Sequence, residues 1–269
     1  MTESRSPNPA VGAALMSAIH TAATDAGLGA HASGYLWRQS WFSVPFAGFF
    51  GLLGLYLAMT PGAHLIGVIV LVPALLGMVS FVRGRIRMAK GDRRLDLFER
   101  GAIVTNREQD IAVFRYATAR VTRDIVRQTS SMGSAMEYSY TLREPGGPKV
   151  SANGGTRLHS GFDSPTEWGP AIVSGIANAQ LPAARQAIAA GNRLDFGPVW
   201  LSATEMGDIL HTWRWPEIAT IWINNNVNKG HVELFLRVKP KKAVMVEAAK
   251  RVENLAIFMT LAEELIACG

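Results

Sequence analysis

The reading turns on three consecutive stretches: WFSVPFAGFFGLLGLYLAMT at 41–60, PGAH at 61–64 and LIGVIVLVPALLGMVSFV at 65–82, followed at once by Arg83, Arg85, Arg87, Lys90, Arg93 and Arg94. Neither long run holds an Asp, Glu, Lys or Arg. A hydrocarbon core of roughly 30 Å takes about 20 helical residues, and both runs match that length. The pattern predicts a membrane α-helical hairpin within 36–83, with spans at 41–60 and 65–82, and a basic juxtamembrane segment at 84–94. Trp37 and Arg38 precede the first span, where an amphipathic ring and a snorkelling cation suit a membrane interface. Gly48, Gly51 and Gly54 offer one small face for close helix packing. With cations on both outer flanks and none in the turn, the expected location is the cell (inner or plasma) membrane, multi-pass, with N- and C-termini cytoplasmic. The plainer alternative, a buried helical pair, would need protein on every face of both helices.

The formal charge is +6, and residues 83–94 alone hold six basic side chains against the single acid Asp92. That concentration explains the charge by membrane contact and removes nucleic acid from the expected partners. Arg83, Arg85, Arg87, Lys90, Arg93 and Arg94 are accordingly membrane-surface contacts, meeting anionic headgroups without selecting one lipid. Arg237, Lys239, Lys241 and Lys242 are a secondary anionic contact, with a solvated hairpin as the plainer reading. Cys268 is the only cysteine, so one chain can build neither a disulfide scaffold nor a four-cysteine metal site. The first apolar run is too long for a signal-peptide core and leads to a second run, with no cleavage site between them.

Residues 1–35, rich in Ala, Ser, Gly and Thr, read as a flexible N-terminal tail with one short helix from Val11 to Ala26. Beyond residue 94 short alternating segments take over: Leu95 to Phe98, Ala102 to Thr105, Ile111 to Tyr116, Ala119 to Ile125 and Tyr138 to Leu142 read as strands. Ser164-Pro165-Thr166-Glu167 then marks a helix start, with Ser164 as cap and Glu167 completing a capping box. Pro182 should end or kink that helix and Gly191 should stop it. The pattern then restarts. Leu95-Asp96-Leu97-Phe98 is answered by Leu194-Asp195-Phe196-Gly197, and Phe114-Arg115-Tyr116 by Trp213-Arg214-Trp215, both at the same offset. Strands at Ala219 to Ile223, His231 to Val238 and Ala243 to Val246 follow, then a helix from Leu255 to Ile266 capped by Asn254. The expected domains are 95–190 and 191–269, each a set of strands closed by one helix.

These motifs resemble bacterial PH-like domains, whose middle strands carry a turn such as Trp215-Pro216-Glu217-Ile218. The whole order, with Leu95 to Gly101 opening the first unit and Gly191 to Pro198 the second, resembles an uncharacterised actinobacterial membrane-protein family, a domain of unknown function. The resemblance implies the fold class of a membrane α-helical hairpin plus α+β, with two tandem PH-like small β-barrels each closed by a C-terminal helix. It brings no catalytic residues with it.

Chemistry is sparse. His159, Ser160 and Asp163 hold the side chains of a hydrolytic triad, but such groups normally converge from separate elements, and a polar loop is the simpler reading. His211, Glu217 and His231 lack the spacing of metal ligands. The Gly146-Gly147 and Gly154-Gly155 pairs match no phosphate loop and read as turns. Trp213 and Trp215 read as a core pair, with a ligand-stacking platform as the alternative. Catalytic, metal and cofactor-binding residues are therefore expected to be none. The leading expectation is a membrane-anchored, non-enzymatic interaction or scaffold module; an anionic-lipid-sensing module is second and an enzyme of unidentified class third. Expected partners are the lipid bilayer, anionic headgroups and an unidentified protein, with a homo-oligomer left open.

Overall fold

The computed structural model describes residues 9–38, 93–107, 110–130, 133–155, 161–226, 231–239 and 242–268, with isolated positions at 53, 56, 59, 60, 69, 72 and 76. Helix α1 (Pro9–Asp25) and strand β1 (His31–Arg38) come first. Then follow β2 (Arg94–Phe98), β3 (Gly101–Arg107), β4 (Asp110–Arg115), β5 (Arg120–Ser130), β6 (Gly133–Arg143), β7 (Lys149–Gly155), β8 (Gly161–Phe162) and α2 (Pro165–Ala189). The second half repeats the plan with β9 (Leu194–Asp195), β10 (Trp200–Leu201), β11 (Glu205–Gly207), β12 (Thr212–Arg214), β13 (Ile218–Asn226), β14 (His231–Val238), β15 (Lys242–Ala248) and α3 (Leu255–Cys268).

The strands form antiparallel sheets in the orders β4-β3-β2-β1-β8, β5-β6-β7, β12-β11-β10-β9 and β13-β14-β15. Alternation explains them. In β2, Leu95 and Leu97 face the main core while Phe98 faces a second cluster with Leu15, Ile19, Ala23, Leu28 and Ile103. Helix α1 therefore covers the back of the first sheet, and β2 is buried on both faces. The main core runs without a break from Leu95 through Trp168 and Ile172 to Phe258 and Leu261, so the segments read as 95–190 and 191–269 share one apolar interior. Gly101 permits the tight β3–β4 crossing, since a Cβ there would lie 2.5 Å from the Phe114 carbonyl.

Several expectations are corrected. No helix among the described residues is long and apolar enough to cross a membrane, so the membrane α-helical hairpin and the multi-pass location are overturned. The physical reason lies in the helices described: α1 and α3 have 17 and 14 residues, and α2, although 25 residues long, carries Glu167, Gln180 and Arg185. Of the two spans, 41–60 and 65–82, only the isolated positions fall within the described residues. The PH-like barrels expected with the hairpin are replaced by the four open antiparallel sheets, none of which closes on itself among the described residues. The segment read as a tail supplies α1, where the short helix from Val11 to Ala26 was expected, and also β1. Trp37 and Arg38, expected at a membrane interface, lie in β1: Trp37 meets Phe162 edge-on at 5.2 Å, and Arg38 lies 3.2 Å from Asp163.

Capping differs too. Ser164 takes a left-handed backbone (φ 49°) and makes no side-chain cap, so the capping box is absent and α2 begins on Pro165. Pro182 does not end α2, because Trp168, Ile172, Ile176 and Ile188 hold its apolar face on the core along its length. The helix stops at Gly191 (φ 81°), where Gly191 and Asn192 donate their N–H groups back to Ile188 and Ala187.

Candidate functional site

The turn after β4, the middle of α2 and the entry to α3 meet at the junction of the two halves. Gln180, on α2, donates from Nε2 to the carbonyls of Tyr116 (2.7 Å) and Ala119 (2.8 Å). Its Oε1 accepts from Asn254 Nδ2 at 3.0 Å. Asn254 Oδ1 in turn accepts from the Val121 N–H at 2.8 Å, while the Asn254 N–H donates to the Val121 carbonyl. A left-handed backbone (φ 49°) is what allows Asn254 this double pairing. Its carbonyl still accepts from Ile257 and Phe258 at the start of α3, so the expected cap is made by the backbone and the side chain serves the junction. Nearby, Arg120 donates to Glu253 at 2.6 Å, with Arg143 3.7 Å from the same carboxylate.

These groups line a cleft of about 250 Å³ together with Leu194, Phe196 and Ile257. Its polar side chains have partners: Gln180 and Asn254 are bonded to backbone and to each other, Glu253 lies between two guanidiniums, Thr118 donates to Glu144 and Asp195 accepts from Arg193. What the arrangement does chemically is join β5 to α2 and α3.

Tyr116, buried beside this network, has its hydroxyl pushed up to about 12 by burial. A raised folded-state value means that the stability Tyr116 contributes is complete below the unfolded value near 10 and is lost as pH rises through about 12. Denaturant titrations should show stability falling between those limits, by roughly 3 kcal/mol from this group alone. The Tyr116→Phe variant should lose that part of the slope.

The loop between β11 and β12 has a different character. Asp208 Oδ1 accepts from the N–H groups of Leu210 (2.7 Å) and His211 (2.6 Å), locking the turn. His211 also stacks on Trp213, with ring centroids 5.5 Å apart. The locked turn presents Ile209 and Leu210 to solvent, each 82% exposed. On the outer face of the last sheet, Trp222 stacks on Phe235 at 5.6 Å, Arg237 lies over Trp222, and Met245 is 53% exposed.

Of the residues singled out by charge, the structure describes only some. Arg83, Arg85, Arg87, Lys90 and Lys241 lie outside the described residues. Arg93 places its guanidinium 4.5 Å over the Trp37 ring, and Arg94 is bonded to the buried Asp96 at 2.7 Å. Arg237 and Lys239 are exposed at the end of β14, and Lys242 opens β15 opposite Val238. Of the triad candidates, His159 and Ser160 lie outside the described residues, and Asp163 holds β1 through Arg38 and the Leu36 N–H. His211, Glu217 and His231 are not brought together: Glu217 accepts from the Arg214 N–H, whereas His231 pairs with Asn226 at the far end of β14. No group of three or more His, Cys, Asp or Glu among the described residues is placed to hold a metal. Trp213 and Trp215 are both buried, and Trp215 donates to the Ser202 carbonyl at 3.0 Å.

Sequence reasoning missed the Gln180–Asn254 pair, whose members are 74 positions apart, and the Asp208 turn. Only the turn had a local signal, an aspartate two residues before an apolar residue and three before a histidine.

No match is found among curated proteins. A family model does match, over residues 18–266, a span that runs from within α1 to within α3. The chain belongs to that family, the family of unknown function DUF6585.

Proposed function

We propose that this protein is a non-enzymatic interaction module that docks a protein partner through the Ile209–Leu210 tip. The observation that carries this reading is a pair of large apolar side chains, each 82% exposed, on a turn held by two hydrogen bonds to Asp208. A backbone already fixed at the turn loses little conformational freedom on binding, which favours the use of its apolar side chains as contact hot spots. The cleft at the junction supports the same reading, since its polar groups are engaged by partners within the protein.

A photocrosslinking residue at position 210 of the full chain tests this in intact cells. A discrete adduct is expected that disappears when Ile209 is also changed to Ser, while the melting temperature stays within about 2 °C, because both side chains are exposed. Adducts that persist unchanged in the Ile209→Ser variant would sink the reading.

A further inference from the structure

The last sheet has the order β13-β14-β15, and its two edges differ. Both outer strands are hydrogen-bonded to β14 alone among the described residues, but β13 also packs against α3. A strand edge of this kind exposes a row of backbone donors and acceptors, ready to pair with another extended chain.

Charge is polarised along that edge. Near the start of β15 stand two exposed cations, Arg237 on the neighbouring β14, paired with Ala243, and Lys239 just beyond that strand. At its end stand Glu247 and, paired across from Ala248, Glu233. Arg251 lies 3.7 Å from Glu247 and answers that acid, while Lys250 is 3.9 Å from Asp124. Neither Arg237 nor Lys239 makes a comparable carboxylate contact among the described residues: Arg237 lies over Trp222, and Lys239 donates its backbone N–H to the Glu217 carbonyl. Side chains alternate along the strand, with Val244 and Val246 toward the core and Met245 outward, more than half exposed.

From the open edge and its charge polarity we infer that β15 is a docking edge for an extended peptide that adds an antiparallel strand and is acidic toward its C-terminal end. Antiparallel pairing places that end at the start of β15, near Lys239, with Arg237 one strand further in on β14. Alternate apolar side chains of the peptide extend the row of Val244 and Val246, and those between them lie beside Met245. The inference is independent of the Ile209–Leu210 tip, which is on another sheet, so either reading stands or falls without the other.

The test uses the full chain and labelled octapeptides that alternate Thr and Val over six positions, with two Glu placed at either the C-terminal or the N-terminal end. Binding followed by fluorescence anisotropy should favour the C-terminal acid by about tenfold, the scale of one to two charge-assisted contacts. N-methylating alternate amides along one edge of that peptide should weaken binding by at least about tenfold, because ladder hydrogen bonds are removed without changing charge. Methylating the other edge should leave it nearly unchanged. The double variant Arg237→Glu, Lys239→Glu should reverse the preference, so that a peptide ending in two Lys binds better, whereas Lys149→Glu should not. Equal binding of the two acid placements, indifference to methylation on both edges, or no binding of any peptide would each overturn the inference. Indifference to methylation would leave only diffuse charge attraction.

Discussion

Replacing Trp168 by alanine is expected to destabilise the protein by about 3–5 kcal/mol, a large share of the 5–15 kcal/mol by which folded domains are stable. Trp168 is fully buried at the start of α2, edge-on to Tyr140 at 5.1 Å and to Phe162 at 6.3 Å. Its ring thus fastens α2 both to the β5-β6-β7 sheet and to β8, the last strand of the first sheet. Truncation leaves a cavity under both contacts. Among the described residues the indole Nε1 has no acceptor, so Trp168→Phe loses volume without stranding a partner and should cost much less. Chemical denaturation of the two variants in parallel checks the order. A Phe variant as damaged as the Ala variant would mean that an unrecognised bond to the indole, and not packing, carries the effect.

Asp96→Ala should cost about 3 kcal/mol, near the lower end of the range for breaking a buried charge pair. Its carboxylate is 0% exposed and takes Arg94 at 2.7 Å and His31 at 2.8 Å, so one side chain holds β1 to β2 by more than backbone pairing. Removing it leaves a guanidinium only 22% exposed without its acid. The same pair recurs in the second half as Arg193 and Asp195 at 2.9 Å, but there the acid is 62% exposed. Asp195→Ala should therefore cost less than about 1 kcal/mol, the usual worth of a solvated ion pair. Equal losses for the two substitutions would show that burial does not set the difference.

That contrast shows where sequence reading succeeds and where it stops. The motifs at Leu95 and Leu194 look alike on the page, and each forms a strand beside an Arg–Asp pair. Yet Leu95 lies in the second strand of the first half and Leu194 in the first strand of the second. The equal offset therefore did not report equivalent strand positions. The Phe114 and Trp213 match fares better, because both lie in the fourth strand of their sheets with inward aromatic rings. The junction site was not legible, since Gln180, Asn254 and Val121 come from three distant segments and their hydrogen bonds leave no local pattern.

The sequence by itself determined what depends on near neighbours: most strand positions after residue 94, the start of α2 at Pro165, its stop at Gly191, and α3. Alternation and turn chemistry act over a few residues, so they can be read in one dimension. Tertiary structure alone decided which faces are covered. It brought β1 beside β2 across some sixty positions of chain, buried Asp96 while leaving Asp195 in solvent, joined the two halves in one core, and left β15 paired on one side only among the described residues. The reason is that burial depends on what another part of the chain places against a face, and that partner's distance along the sequence carries no local mark.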